Sequence, residues 1–304
     1  MMAVRFYKPG VIRLEDVEIP RIGKDELLVR NRVVMTCGTD VKMYLRGHRL
    51  VNPPQIIGHE FAGTIEEVGE DVQGFKRGMN VVAANSAPCT SCYYCQIGKP
   101  NLCEHLDEVL MGFSFPGAYA EYVRLPGRIV RHNTYEIPGG LSFEEAAFLE
   151  PFSCVVHAGE LAGISAGDLV FVIGAGPIGL LHVQLAKVYG AKTVVVTDAS
   201  AERLTRAVEL GADQTVGSKD SVSEIRRLSE NRGADVVIEA VGKPETWQTA
   251  AEATRKGGTA VLFGGCPAGT VVPFDAGAVH YGELTLRGVF HHTPTSVREA
   301  LRLI

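Results

Sequence analysis

The sequence predicts a two-domain α/β protein, mainly β in its first part and a doubly wound parallel sheet in its second. Three observations predict it. Short β-branched segments punctuated by Pro and Gly turns fill residues 1–152. From Asp168 onward apolar runs alternate with helical patterns, which is how strands covered by helices on both faces read. A glycine cluster, Gly174 to Gly179, stands where one such strand passes into a helix. The length of 304 residues suits this division, because a single core rarely grows past ~250–300 residues.

In the first domain, residues 1–152, the strand-like segments are Leu27–Val34, Gly63–Val68 and Asn80–Ala84. Turn residues such as Pro53-Pro54 and Gly74 to Gly78 separate them. The texture changes after Pro151, so the second domain is taken as residues 153–304. There Leu169–Ile173 reads as a buried strand and Ile178–Tyr189 as a helix. Thr193–Thr197 and Ala201–Leu210 repeat the pair, and Asp235–Glu239 and Thr259–Phe263 continue as strands. Gly190, Gly211 and Gly257-Gly258 are placed as helix stops. A last helix begins near Thr295. No internal repeat is present.

Composition narrows the function. Hydrophobic residues make up 46% and charged residues 21%, an ordinary globular balance. A net charge of -5 and the lack of any Lys/Arg run argue against nucleic acid and anionic membranes as partners. Residues Met1 to Gly10 lack the apolar core of a secretory signal, and no apolar run reaches the ~18 residues of a membrane span. A cytoplasmic protein is expected. Four of the seven cysteines crowd between Cys89 and Cys103. In an intracellular chain that clustering favours metal over disulfides.

Gly174-Ala175-Gly176-Pro177-Ile178-Gly179 is a G-x-G-x-x-G between a strand and a helix, and in that setting it points to a dinucleotide. Gly174 permits the tight turn, Gly176 lets the backbone approach the pyrophosphate, and Gly179 lets helix and strand pack closely. Pro177 and Ile178 open the helix whose N-terminus faces the phosphates. Asp198 ends the next strand, where its carboxylate can accept from the ribose hydroxyls and repel a 2′-phosphate. NAD is therefore expected over NADP. A helix cap is the plainer alternative for Asp198. Arg203, in the following helix, is taken as a further cofactor contact. Later strand ends point to Ala240-Val241-Gly242 and Phe263-Gly264-Gly265, with Val241 and Gly264 singled out; ordinary βα turns would look the same.

Two metal sites of different kind follow. Cys89, Cys92, Cys95 and Cys103 form C-x2-C-x2-C-x7-C, enough to enclose one tetrahedral zinc with no position left for substrate. This is a structural site. The second is dispersed: Cys37 in Thr36-Cys37-Gly38-Thr39-Asp40, His59 in Gly58-His59-Glu60, and Glu150 in Leu149-Glu150-Pro151. A thiolate, an imidazole and a carboxylate with one open position suit a catalytic zinc that polarises an alcohol and lowers its pKa. Spacing alone does not bring these residues together. A lone Cys is commonly a small buried hydrophobe, and a lone His a satisfied structural residue.

The motif Gly58-His59-Glu60-x-x-Gly63, followed by Gly69 and Val72, joins the four-cysteine cluster and the Gly174–Gly179 loop in one pattern. Over the whole chain it resembles the zinc-containing medium-chain alcohol dehydrogenases, near their polyol and threonine dehydrogenase branch. The resemblance implies a GroES-like catalytic domain followed by a Rossmann domain, with one catalytic and one structural zinc per chain and NAD as cofactor. It implies Cys37 and His59 as zinc ligands, with either Glu60 or Glu150 completing the set. Glu150 stands where simple alcohol dehydrogenases carry a Cys, and Leu-Glu-Pro is typical of the polyol and threonine branch. Thr39 corresponds to the hydroxyl that accepts the substrate proton, or else is a local turn hydroxyl. Asp40 corresponds to the carboxylate that orients a ligand imidazole, or else caps a helix. Lys42 stands where many relatives carry a proton-relaying His, which leaves Lys42, a ribose hydroxyl or water as exit.

The implied reaction is reversible, NAD-linked oxidation of a small secondary alcohol, a polyol or a 3-hydroxy amino acid. A sugar or simple-alcohol dehydrogenase is the nearer rival, and a non-catalytic zinc- and NAD-binding protein the more distant one. Glu283–Phe290 resembles the strand that pairs subunits in relatives, which implies a homodimer or homotetramer; an internal edge strand is the alternative. Relatives are longer and return to the first domain at their C-terminal end. Here that return segment is expected to be missing, since the chain stops at Leu301-Arg302-Leu303-Ile304.

Overall fold

The computed structural model describes all residues, 1–304. It divides into two compact units, Met1–Cys154 with His292–Ile304, and Val155–His291.

The first unit is built on antiparallel sheet. β1 (Met2–Lys8), β2 (Val11–Asp16) and β4 (Gln55–Ile56) form a small sheet in the order β2-β1-β4. β3 (Leu27–Met35), β5 (Glu60–Val68), β6 (Asn80–Ala83), β7 (Tyr122–Leu125) and β8 (Thr134–Glu136) form a second in the order β7-β3-β5-β6-β8. Alternate residues of these strands, among them Leu27, Val29, Phe61, Ile65, Val81 and Leu125, build its core. The register of β3 against β5 matters most for function. It sets Met35 opposite Glu60, so the residues just beyond Met35 and just before Glu60 meet at one end of the sheet. The helices are short: α1 (Gly38–Arg46), α2 (Tyr93–Gln96), α3 (Gly127–Asn133), α4 (Phe143–Ala146) and α5 (Leu149–Ala162), with the unit boundary inside α5.

The second unit holds six parallel strands, β9 (Leu169–Ile173), β10 (Thr193–Thr197), β11 (Gln214–Val216), β12 (Ala234–Glu239), β13 (Thr254–Leu262) and β14 (Thr285–Gly288). Helices α6 (Pro177–Val188), α7 (Ala201–Glu209), α8 (Ser221–Leu228), α9 (Pro244–Ala253) and α10 (Ala276–Gly282) connect them. The order β11-β10-β9-β12-β13-β14 reverses between β9 and β12, as in the doubly wound folds whose ligands sit at that reversal. The apolar strand runs have a direct cause. Val170, Val172, Val194 and Val196 enter one core, while Phe171, Ile173 and Val195 enter the core on the other face. A strand buried on both sides has no polar alternation to show.

Two expectations need correction. Gly257-Gly258 do not stop a helix; both lie within β13, at an irregular stretch of its pairing with β12. A Cβ on Gly258 would come within 2.8 Å of the Asp235 carbonyl, so close strand packing explains that glycine. The second correction concerns the C-terminal end. His292–Ile304 belongs to the first unit, and not to the parallel-sheet unit as the division at 152/153 had it. Helix α11 (Pro294–Leu303) is one-sided, with Ser296, Val297 and Ala300 buried, and it packs on α3; His292 Nε2 lies 3.2 Å from Asn85 Oδ1. A one-sided helix must bury that face somewhere, and chain order does not say where. The chain thus returns to the first unit at residues 292–304. No helix is long and apolar enough to cross a membrane.

Candidate active site and metal centres

The four-cysteine lobe has almost no core of its own beyond Cys92, Cys103 and Leu106. Its sulfurs all lie within 4.8 Å of one another. The Sγ separations are 3.5 Å for Cys92–Cys95, 3.8 Å for Cys92–Cys103 and 4.0 Å for Cys89–Cys95. A tetrahedron with Zn–S bonds of ~2.3 Å has edges of about 3.8 Å, so the donors fit zinc. None of the seven cysteines is in a disulfide. Backbone N–H groups of Cys89, Cys92 and His105 point at Cys103 Sγ, Cys89 Sγ and Cys103 Sγ, at 3.3, 3.3 and 3.4 Å. The Ser91 hydroxyl and neighbouring amides pull the Cys89 thiol down to about 5, while burial and the adjacent sulfurs push Cys95 up to about 12. Four such thiols cannot all ionise side by side without a cation between them.

The dispersed site forms where the β3–β5 register predicts. Cys37 caps α1 and His59 immediately precedes β5. The donor atoms of Cys37, His59 and Glu60 lie within 4.8 Å of one another. His59 and Glu60 are buried. Asp40 both caps and orients: Oδ2 accepts from the Cys37 backbone N–H at 2.9 Å, and Oδ1 faces His59 Nδ1 at 3.5 Å. With Nδ1 turned to Asp40, Nε2 is the ring atom left for a metal. Thr39 Oγ1 lies 3.6 Å from Cys37 Sγ, and the Phe113 ring packs 5.3 Å from the His59 ring. Lys42 is exposed on α1.

Negative groups dominate this spot. Burial opposes charge on His59, but Asp40, Cys37 and Glu150 outweigh it and hold its pKa well above 6.5. Burial pushes the Glu60 carboxyl up as well. Glu150 rises to about 7, chiefly through burial, with Glu60 and Asp40 adding to it and His59 opposing. A thiol, an imidazole and a carboxyl that crowd one another in this way suit a divalent cation. Glu150 stands outside the close triad but near enough for its charge to act on His59.

In the second unit the glycine loop has the form a dinucleotide needs. Gly174 has φ +101, and a Cβ there would meet Val241 Cγ2 at 2.8 Å. A Cβ on Gly179 would lie 1.8 Å from the Gly174 carbonyl. Around Gly176, which caps α6, nothing lies within 4 Å of the Cβ position, so a phosphate can come close. Pro177 opens the helix and Ile178 follows it. Asp198 Oδ2 accepts from the Ala175 N–H at 2.8 Å and Oδ1 from the Ser200 N–H at 2.9 Å. Arg203 Nη1 lies 3.8 Å from that carboxylate. Asp198 therefore ties the loop to the next strand; the helix cap there is Ser200.

Comparison with known proteins decides the family. The Alcohol dehydrogenase GroES-like domain family matches residues 23–136, and the Zinc-binding dehydrogenase family matches residues 177–304. Sorbitol dehydrogenase of Bacillus subtilis (strain 168) is 33% identical over 300 residues, covering 97% of this chain and 83% of that protein. Sorbitol dehydrogenase of Homo sapiens is 37% identical over 297 residues, covering 94% and 80%. The chain belongs to the zinc-containing medium-chain alcohol dehydrogenases, in their polyol branch. A zinc-binding dehydrogenase of Sinorhizobium meliloti 1021, solved bound to NADP, superposes with a TM-score of 0.93 at 36% identity, covering 99% of this chain and 87% of that one. Galactitol-1-phosphate dehydrogenase of Escherichia coli gives a TM-score of 0.90 at 30% identity, covering 100% and 88%. This alcohol dehydrogenase is an oxidoreductase that works with zinc and a nicotinamide dinucleotide.

Three of its residues escaped the sequence. Tyr119 donates to Asp40 Oδ2 at 2.8 Å across 79 residues, a distance no motif spans. Cys154 lies one helical turn beyond Glu150, with donor atoms within 4.8 Å, and burial first, then the charges of Glu150, Cys37 and Glu60, push its thiol well above 9. Glu239, wholly buried at the end of β12, accepts through Oε1 from Val241 N, Gly242 N and Thr246 Oγ1 at 2.9, 2.8 and 2.7 Å. Its signal was visible: an acid ending the otherwise apolar run Val236–Ile238.

Proposed function

We propose that this dehydrogenase oxidises a polyol at a secondary hydroxyl, reversibly, with NAD as the acceptor and Cys37, His59 and Glu60 as the protein ligands of its catalytic zinc. The close triad of these three donors is the observation that carries the reading. Glu150 stands beside the triad as the carboxylate able to enter the ligand set. Cys89, Cys92, Cys95 and Cys103 hold the second zinc, away from the chemistry. The similar proteins, two sorbitol dehydrogenases and a galactitol-1-phosphate dehydrogenase, favour a polyol over a 3-hydroxy amino acid.

Bound zinc supplies a Lewis acid that lowers the pKa of an alcohol, and the nicotinamide supplies the hydride acceptor. The chain's own residues do the rest. Asp40 holds the His59 ring. Thr39, two residues beyond Cys37 at the start of α1, takes the substrate hydroxyl proton. Gly174, Gly176 and Gly179 with Pro177 and Ile178 seat the pyrophosphate, and Val241 and Gly264 border the nicotinamide half. Asp198 accepts from the ribose hydroxyls, with Arg203 beside it, and repels a 2′-phosphate. NAD is thus the preferred cofactor, although the similar Sinorhizobium meliloti 1021 protein was solved with NADP. The gathering of four cysteine sulfurs into one metal-sized cluster fits a reducing, cytoplasmic setting. β14, paired on one side only, offers an edge for a second copy and supports a homo-oligomer.

The test is NADH formation over a panel of polyols, simple alcohols and L-threonine, with zinc counted per chain. A polyol with the highest kcat/KM at two zinc per chain supports the proposal. Nucleotide binding without turnover of any alcohol overturns it.

A further inference from the structure

We propose that Tyr119 is a positioning residue for the catalytic metal, fixing the Asp40 carboxylate with its hydroxyl and the Gly58-His59 backbone with its ring. The proposal rests on the reading of Cys37, His59 and Glu60 as zinc ligands, and concerns how tightly they hold the ion.

The segment before His59 is clamped from one side. Gly117 N donates to Ile56 O, Ala118 N to Gly58 O and Tyr119 N to Ile57 O, at 2.8, 2.9 and 2.9 Å. The Tyr119 ring then lies flush against Gly58: a Cβ on that glycine would sit 2.6 Å from ring carbon Cδ1. Gly58 also has φ +88, a left-handed conformation that glycine takes without strain. The ring therefore defines the path by which the chain enters His59.

The hydroxyl acts on the other half of the site. Tyr119 Oη donates to Asp40 Oδ2 at 2.8 Å, on the oxygen that also accepts from the Cys37 N–H. Asp40 is 4% exposed, and no lysine or arginine pairs with it. Its orientation depends on three groups: the Cys37 amide, the His59 ring and the Tyr119 hydroxyl. Two of these belong to the proposed ligand residues themselves. Tyr119 comes from a different segment and holds the carboxylate from outside. Burial raises the pKa of the Tyr119 phenol, and the Asp40 and Glu60 charges add to the rise, so it remains a donor at all physiological pH. Groups that orient metal ligands typically set affinity by 10–100-fold.

Tyr119→Phe tests this cleanly, because it keeps the ring against Gly58 and removes only the hydroxyl. The full chain is loaded with zinc, and zinc release is followed against increasing chelator. The expected result is release of one zinc at about 10-fold lower free chelator than in the wild type, with the second zinc and the thermal midpoint of the zinc-saturated chain unchanged. Cobalt placed in the released position should show a shifted visible band. In an Asp40→Ala background the same change should have a much smaller effect, since the carboxylate partner is gone and only the Met35 carbonyl, 3.2 Å from the hydroxyl, remains. A wild type with two zinc per chain and a Tyr119→Phe variant with identical release and identical cobalt spectrum overturn this inference alone. A wild type that saturates at one zinc overturns the ligand reading and this inference with it.

Discussion

The Glu239 carboxylate ends where a side chain on Gly264 would begin: Oε2 lies 2.7 Å from the Cβ position of that glycine. The other oxygen accepts from the two amides after β12 and from Thr246. One buried acid thus fixes the loops after β12 and β13, beside the reversal of strand order at which doubly wound folds seat their ligands. In Gly264→Ala the new methyl would also lie 2.3 Å from Gly242 N, so the loops must part. NADH affinity should fall by about 10-fold, a loss of about 1.4 kcal/mol, with Thr246→Val showing a smaller fall. Trp247, the single tryptophan, donates to Gly264 O at 2.8 Å and reports the titration by fluorescence. Unaltered NADH affinity in both variants would remove these loops from the cofactor site.

The four-cysteine lobe should depend on its metal for folding. Cys95→Ser leaves three sulfurs, and the variant should carry one zinc per chain in place of two. Loss of several kcal/mol is expected, lowering the thermal midpoint by roughly 10 °C. Metal analysis and calorimetry check it, and full zinc with an unchanged midpoint would refute a structural role.

Glu60 and Glu150 compete for one role, and metal content separates them. Because Glu60 shares the close triad with Cys37 and His59, Glu60→Gln should weaken zinc retention more than Glu150→Gln. Both should lower kcat, by about 10-fold or more. The opposite order in retention would make Glu150 the direct ligand.

Cofactor preference should follow Asp198. Replacing it with Ser removes the charge proposed to repel a 2′-phosphate. It also frees the Ala175 N–H that the carboxylate now binds at 2.8 Å. The ratio of kcat/KM for NAD over NADP should fall by about 100-fold, equivalent to roughly 2.7 kcal/mol. A ratio that does not move would assign the preference elsewhere.

Acid should destabilise the second unit through His182. This residue of α6 is 1% exposed, neither ring nitrogen has a partner, and its edge rests on Phe263. Burial pulls its pKa from 6.5 down to about 3. Below 6.5 the unfolded chain binds a proton that the folded one refuses. The stability owed to the neutral ring is fully present above pH 6.5 and is lost progressively between pH 6.5 and 3. The difference in thermal midpoint between pH 7 and pH 5, followed by Trp247 emission, should shrink in His182→Leu. Equal pH dependence in both proteins would contradict the buried neutral state.

Much was legible from local pattern alone. The glycine loop and the four cysteines each fall within fifteen residues, so backbone geometry and donor chemistry leave few other uses for them. The parallel sheet was legible because strands buried on both faces read as continuous apolar runs. Gly257-Gly258 misled because a glycine that lets strands approach closely has the same composition as one that ends a helix.

Local sequence encodes the two-part fold, the clustering of four cysteines, and the position and form of the glycine loop, because each is set by neighbours in the chain. Tertiary structure alone decided the rest. The β3–β5 register brought Cys37 to His59 and Glu60 and left Glu150 beside them. The burial of one face of α11 carried residues 292–304 into the first unit. A hydroxyl 79 residues from Asp40 was set against that carboxylate. Such contacts arise from strand register and packing, which depend on apolar surface summed over whole elements, and no short stretch of sequence contains that sum.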